Sequence, residues 1–277
     1  MTPSAAIDRL KALAKRPDDA IDLCEAAILI GLAEDPCVEP EEVHRELEAL
    51  AERARARVPE RGPVLPRLRQ LTQFLFDEEG FAGNEGAYYE VANSCIHRVL
   101  ERRLGIPITL SIVLMEVGRQ VGLEMDGVGF PTHFLVTPRD APSIFIDAFH
   151  HGHILGYDEC RGLFEVAVAG RLPFDERYLQ PASTRYVLTR MLQNLKFVHL
   201  REGETERAIT TLDQALALTP DSNDLRRERG LLRLRARDLR GGISDLEEYL
   251  VRAPTARDAA MIRLSLVDAR QRLLSVH

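Results

Sequence analysis

The sequence predicts an α+β domain followed by an all-α tail, and three observations carry that reading. A helix that is apolar around much of its circumference, Ile108 to Val121, precedes three short strand candidates. Helical periodicity fills the chain from its start to about residue 78. Beyond about Ser183 the pattern is helical again and contains an internal repeat. The predicted division is 1–182 for the helical region and α+β domain, and 183–277 for the repeat tail.

The elements follow in order. Ile7, Leu10, Leu13 and Ala14 mark one face of a helix over Ala5 to Lys15. Asp18 and Asp19 are candidate caps for a second helix, which runs out near Asp35-Pro36. Pro40-Glu41 opens a third helix, with Val43, Leu47, Leu50 and Ala51 inward. After Pro63 and Pro66 a fourth covers Leu68 to Phe76. Gly80 to Tyr89 reads as a loop. Asn93 or Ser94 is a candidate cap for a helix through Val99 and Leu100, which stops at Gly105. Pro107 suits the first turn of the buried helix, where its missing N–H costs nothing. Strands are expected at Met125–Phe130, His133–Thr137 and Ser143–Ile146, with Pro138 to Pro142 as the turn between the last two.

In the tail, Ala208, Leu212, Ala215 and Pro220 fit the small–large–small–Pro signature of a tetratricopeptide unit. One repeat period later stand Gly242, Leu246, Tyr249 and Pro254, with Tyr249 in place of a small residue. Asp258 to Leu274 is the expected closing helix. Two such units fall short of the three or so that make a stable stack, so the tail is expected to dock on the first domain.

Composition narrows the functional classes. The chain has 277 residues, 45% hydrophobic and 29% charged, with a formal net charge of −7. An acidic balance argues against a nucleic-acid partner. No apolar run reaches membrane-spanning length, and Met1 to Arg16 lacks a signal-peptide core, so a cytoplasmic protein without a membrane partner is expected. The cysteines Cys24, Cys37, Cys95 and Cys160 form no C-x-x-C pair, which suggests neither a zinc ribbon nor a disulfide framework.

Three segments stand out as a set: Asn93 to Ser111, Gly127 to Val136 and Ile144 to His153. Gly105-Ile106-Pro107 with Leu110-Ser111, then Pro131-x-His133-Phe134, then Ile146-Asp147, resemble the bacterial family of transglutaminase-like proteins that carry C-terminal tetratricopeptide repeats. The resemblance runs from about residue 70 through the repeats. It implies a papain-like α+β core with a small antiparallel sheet. It also implies a Cys at the start of a buried helix, a His on one strand and an Asp on the next. His133 and Asp147 match the His and Asp. The nucleophile's place falls between Gly105 and Ser111, near Pro107, and no cysteine stands there. Thr109 and Ser111 are the only hydroxyls in that stretch. A triad without its thiolate loses the step that the other two residues serve.

Other residues compete for the chemistry. Cys95 precedes His133 and Asp147 in chain order, near a helix N-terminus that lowers a thiol pKa. Against that, it falls one helix too early for the expected fold, and a lone Cys beside Ile96 is more often a small core hydrophobe. Ser111 completes a formal Ser-His-Asp set, but no nucleophile elbow surrounds it, and its hydroxyl is expected to bond a carbonyl one turn back. His150, His151 and His153 with Asp147 offer metal-type donors on a glycine-containing loop, the basis of a third reading as a metal-dependent hydrolase. No metal or other cofactor is expected. His97 is expected at the surface or as a cap, and Cys24, Cys37 and Cys160 as structural. In the tail, Arg226, Arg229, Arg233, Arg237 and Arg240 recur on one helical face. They are candidates for binding an acidic segment or C-terminal carboxylate of a partner protein, or for a solvated face balanced by Asp224, Glu228 and Asp238. The leading expectation is a non-catalytic scaffold or regulatory protein. The alternative is a cysteine-dependent hydrolase or acyl transferase using Cys95, His133 and Asp147.

Overall fold

The computed structural model describes residues 1–131, 133–169 and 171–275, so the last two positions of the expected tail lie outside the described residues. The chain divides into two compact units, Met1–Met191 and Leu192–His277.

The first unit opens with α1 (Pro3–Leu13), capped by the Thr2 hydroxyl. The predicted caps Asp18 and Asp19 form instead a short 3-10 turn. Asp22 caps α2 (Leu23–Glu34) by accepting the Glu25 N–H at 2.9 Å. An Asp has to sit beside the first helical residue to reach the orphan N–H groups there, and Asp18 lies too early. Next come α3 (Pro40–Arg55) and α4 (Val64–Thr72), the latter running on as a π-helix over Gln73–Glu78. The expected loop after Gly80 contains β1 (Ala82–Gly83). Cys95 rather than Asn93 or Ser94 is the N-cap residue of α5 (Ile96–Arg102), and Asn93 and Ser94 lie in the 3-10 turn before it. The chain then forms β2 (Leu104–Gly105), which pairs in parallel with β1, and α6 (Pro107–Gln120).

Helix α6 is buried as its apolar circumference requires: Ile108, Leu110, Ile112, Val113, Leu114 and Val117 are all at most 2% exposed. Arg67 stops it, donating from Nη2 to the Val121 carbonyl at 2.7 Å and from Nε to Pro59 at 2.8 Å. A guanidinium at that end satisfies the orphan carbonyls and complements the helix dipole.

A four-stranded antiparallel sheet follows, in the order β3 (Met125–Val128), β4 (Leu135–Pro138), β5 (Phe145–Asp147) and β6 (His153–Leu155). The strands predicted at Met125, His133 and Ser143 are present but shorter, and β6 was not foreseen. His133 lies two residues before β4, not on it. Helix α7 (Tyr157–Val168) closes a core of Val128, Phe130, Leu135, Phe145, Leu155, Cys160, Phe164 and Leu179. Helix α8 (Thr184–Glu202) spans the division between the units.

The second unit continues with α9 (Thr205–Leu218), α10 (Asn223–Arg235), α11 (Leu239–Arg252) and α12 (Ala259–Ser275). Helices α9 and α11 start and end one 34-residue period apart. At Gly242 a Cβ would stand 2.9 Å from the Gly230 carbonyl oxygen, so the small residue is what lets α10 and α11 approach. Tyr249 is tolerated at its small position because the ring is buried and its hydroxyl donates to Asp258 at 2.6 Å. Among the described residues no helix is long and apolar enough to cross a membrane.

Candidate functional site

Asp147 ends β5, in register with His153 on β6. The loop between them turns sharply through His151 (φ 54°) and Gly152 (φ 66°). Asp147 Oδ1 accepts the backbone N–H groups of Phe149 at 3.1 Å and His150 at 3.2 Å, which fixes the carboxylate and the loop together. Its other oxygen, Oδ2, meets His150 Nδ1 at 2.8 Å and His133 Nδ1 at 3.2 Å. One buried carboxylate, 3% exposed, thus joins two imidazoles. Burial by itself pushes the Asp147 carboxyl up. The hydrogen bonds from His133 and His150 outweigh it and hold the carboxyl below its ordinary range. A carboxylate accepting from both rings puts a proton on each Nδ1 and leaves each Nε2 outside these bonds. His133, Asp147 and His150 line a cavity of about 570 Å³ whose apolar wall is Leu155, Leu163 and Val166.

The loop bearing His133 is held from behind by Arg190 of α8. Its guanidinium donates to the His133 carbonyl at 2.7 Å and to the Phe130 carbonyl at 3.3 Å, and lies over the Phe134 ring. Sequence reading missed Arg190, because an arginine in a helix carries no signal of a carbonyl clamp. Gly152 makes the turn expected of it, but its close packing, with a Cβ that would stand 2.4 Å from the Phe76 ring, carried no sequence signal. The run of three histidines was visible, but its members separate. Among the described residues His133, Asp147 and His150 form the cluster here whose donor atoms lie within 4.8 Å of one another, and His151 and His153 are outside it.

For nucleophilic chemistry the pair needs a thiol or hydroxyl within hydrogen-bond reach. Cys95 is fully buried, and its thiol donates to the Val91 carbonyl at 3.4 Å. Burial, reinforced by Glu34 and Asp35, raises its pKa far above the ordinary thiol range. Its N-cap position therefore yields no activated thiolate. Ser111 is also fully buried, and its Oγ has no hydrogen-bond partner, not even the carbonyl expected one turn back. Thr109 Oγ1 is occupied, donating to Asn93 O at 2.7 Å and accepting the Ile106 N–H at 3.2 Å. Cys160 lies in the core under the sheet, where burial, then Glu159 and Asp147, push its thiol up to about 12. Burial likewise raises Cys24.

The arginine stripe of the second unit separates into two parts. Arg229 reaches Asp245 through Nε and Nη2, at 2.8 and 2.5 Å, and Asp213 through Nη1 at 2.8 Å. Arg233 bonds the same two acids at 3.0 Å each. Arg226 is buried, on Glu248 and the Pro220 carbonyl. These three tie α9, α10 and α11 together, Arg229 and Arg233 through Asp213 and Asp245 and Arg226 through Glu248, acids of the neighbouring helices. Arg237, at φ 66° just past α10, and Arg240 remain exposed. With Arg272 they line a cavity of about 690 Å³. Asp238 stands in the same corner, but its carboxylate accepts the Gly241 N–H at 3.0 Å as the cap of α11.

The family model described as "Transglutaminase-like superfamily" matches residues 41–193, and the model described as "Tetratricopeptide repeat" matches residues 195–266. A UPF0162 protein of Xylella fastidiosa is 33% identical over 269 residues, covering 96% of each chain. A UPF0162 protein of Vibrio cholerae is 27% identical over 248 residues, covering 88% of this chain and 91% of its own. The human F-box only protein 21 is 34% identical over 167 residues, which is 57% of this chain and 24% of that one. No solved structure matches.

Proposed function

The chain belongs to the transglutaminase-like superfamily, among the UPF0162 proteins, and itself joins this domain to tetratricopeptide repeats; on that premise we propose that it is a non-catalytic scaffold that binds an acidic segment of a partner protein. The observation that carries the first half is the state of the His133–Asp147 pair. It is assembled and hydrogen-bonded, yet Cys95, Cys160 and Cys24 are buried, with thiols raised away from the thiolate. A base with no nucleophile to serve makes a binding cleft. Nε2 of each ring takes a donor group, and Leu155, Leu163 and Val166 take an apolar one.

The second half rests on the repeats. Tetratricopeptide repeats generally mediate contact between proteins, and three exposed arginines of this unit, Arg237, Arg240 and Arg272, line one cavity, Arg272 also meeting Asp268 at 3.5 Å. An acidic stretch or a chain-terminal carboxylate suits them, since planar guanidiniums pair bidentately with carboxylates. The domain division 1–182 and 183–277 and a cytoplasmic setting belong to the same proposal.

The test uses the full chain in two assays. Acidic peptides with a free C-terminal carboxylate should bind, weaken with salt, and lose at least about tenfold in affinity in the Arg237→Glu/Arg240→Glu variant. His133→Ala should leave that binding unchanged. Hydrolysis or acyl transfer on ester or peptide-amide substrates that disappears with His133→Ala would overturn the reading.

A further inference from the structure

We infer that Asp35, Cys37 and His97 form a binding site for a zinc-class divalent cation, separate from the His133–Asp147 cleft. The three donors come from two places that the fold brings together. Asp35 and Cys37 lie just past the end of α2, and His97 is in the first turn of α5. Their ligand atoms all lie within 4.8 Å of one another. Gly31 fixes this juxtaposition, because a Cβ there would stand 2.9 Å from the Cys95 Cα, so the end of α2 packs directly on the start of α5.

The second observation is His97 itself. It was expected at the surface, and it is 6% exposed. Neither ring nitrogen has a hydrogen-bond partner. Nε2 stands 3.6 Å from Asp35 Oδ2, beyond hydrogen-bond range. Buried polar groups in folded proteins are almost always satisfied, and an imidazole left unpaired beside a carboxylate and a thiol is one that awaits a ligand. The ring lines a cavity of about 400 Å³ together with Cys37.

The donor set decides the class of ligand. One sulfur, one imidazole nitrogen and one carboxylate oxygen suit a borderline-soft ion that accepts four-coordinate geometry. They do not suit calcium or magnesium, which take oxygen ligands. Three protein ligands leave a fourth position for water. The thiol proton leaves to solvent as the sulfur–metal bond forms. Arg98 competes for one Asp35 oxygen through Nε at 2.5 Å, and is itself held by Glu101 at 2.7 Å. It orients the carboxylate.

Cobalt(II) is the probe, because thiolate ligation gives it a charge-transfer absorption. The reduced, metal-stripped full chain should bind one equivalent with that absorption, and zinc should displace it. Cys37→Ser should abolish the absorption, and Asp35→Asn should weaken cobalt binding by at least about tenfold. His133→Ala should change neither. Both Cys37→Ser and Asp35→Asn alter residues outside the core, so circular dichroism can confirm that these variants remain folded. Zinc should raise the melting temperature of the parent chain and leave that of Cys37→Ser unmoved. Saturating cobalt without a charge-transfer band in the parent chain would overturn the assignment, and so would a band that survives in Cys37→Ser.

Discussion

His133 and Asp147 meet through Nδ1 and Oδ2 at 3.2 Å, and His150 shares the same oxygen at 2.8 Å. Two imidazoles on one carboxylate oxygen differ from the linear relay of a working triad, in which a single imidazole lies between acid and nucleophile. The arrangement makes Asp147 the hub of the loop, and its protonation state a stability question.

Asp147→Asn should cost about 2–3 kcal/mol at neutral pH, the range of charge-assisted hydrogen bonds to a buried acceptor. The folded carboxyl titrates below its usual range. Its stabilisation is therefore present above the unfolded carboxyl pKa of about 3.9, and is lost as pH falls through the lower folded value. Urea midpoints measured against pH should fall on the acid side in the parent chain and fall less steeply in Asp147→Asn. Parallel curves would show that the carboxylate contributes nothing through ionisation.

Arg190 holds the His133 loop through two carbonyls. Arg190→Ala should destabilise the first unit by about 2 kcal/mol. Arg190→Lys should recover little, because a point cation does not reproduce the fork that spans both oxygens. Histidine NMR signals for His133 should broaden or shift in both variants. Unchanged signals would mean the loop is positioned by β4 alone.

Asp245 is 5% exposed and takes three donors from Arg229 and Arg233. Asp245→Asn should cost about 3 kcal/mol of stability in the second unit, because two guanidiniums lose their buried counter-charge. A double-mutant cycle with Arg229→Ala should show strong coupling, and additive effects would contradict the network.

Gly152 and Gly80 both have φ on the positive side, at 66° and 76°. A Cβ at Gly152 meets the Phe76 ring at 2.4 Å and Thr72 at 2.9 Å, whereas nothing lies within 4 Å of one at Gly80. Gly80→Ala should thus cost about 1–2 kcal/mol from backbone strain alone, and Gly152→Ala at least about 1 kcal/mol more through overpacking. Equal melting temperatures for the two variants would remove the steric part of the argument.

Much of this fold was legible in the sequence, because hydrophobic period and family motif report on it directly. The buried helix at Pro107, the small antiparallel sheet and the 34-residue repeat are all local patterns. The parallel pairing of Ala82 with Leu104 was not legible, since two-residue strands carry no period. His133 and Asp147 could be marked as a pair, and a turn at Gly152 was legible, but that the turn brings His150 onto the same Oδ2 is something no spacing rule encodes. Arg229 and Arg233 lie on one helical face as expected. What that face meets was hidden, because Asp213 and Asp245 come from other helices. His97, expected at the surface or as a cap, was misplaced for the same reason: its own helix is short and charged, while the ring lines a cavity with Glu42, Val43 and Glu46 of α3.

The central claim is that the His133–Asp147 pair serves no thiolate, and the alkylation of Cys95 tests it most directly. The native chain is exposed to a thiol reagent across a range of pH, with and without His133→Ala, and peptide mapping separates the four cysteines. Cys95 should stay unmodified near neutrality, react only when the chain unfolds, and be indifferent to His133. A thiolate formed near neutral pH, well below the usual thiol range of about 8.5, and lost with His133→Ala would contradict the claim and restore an enzyme.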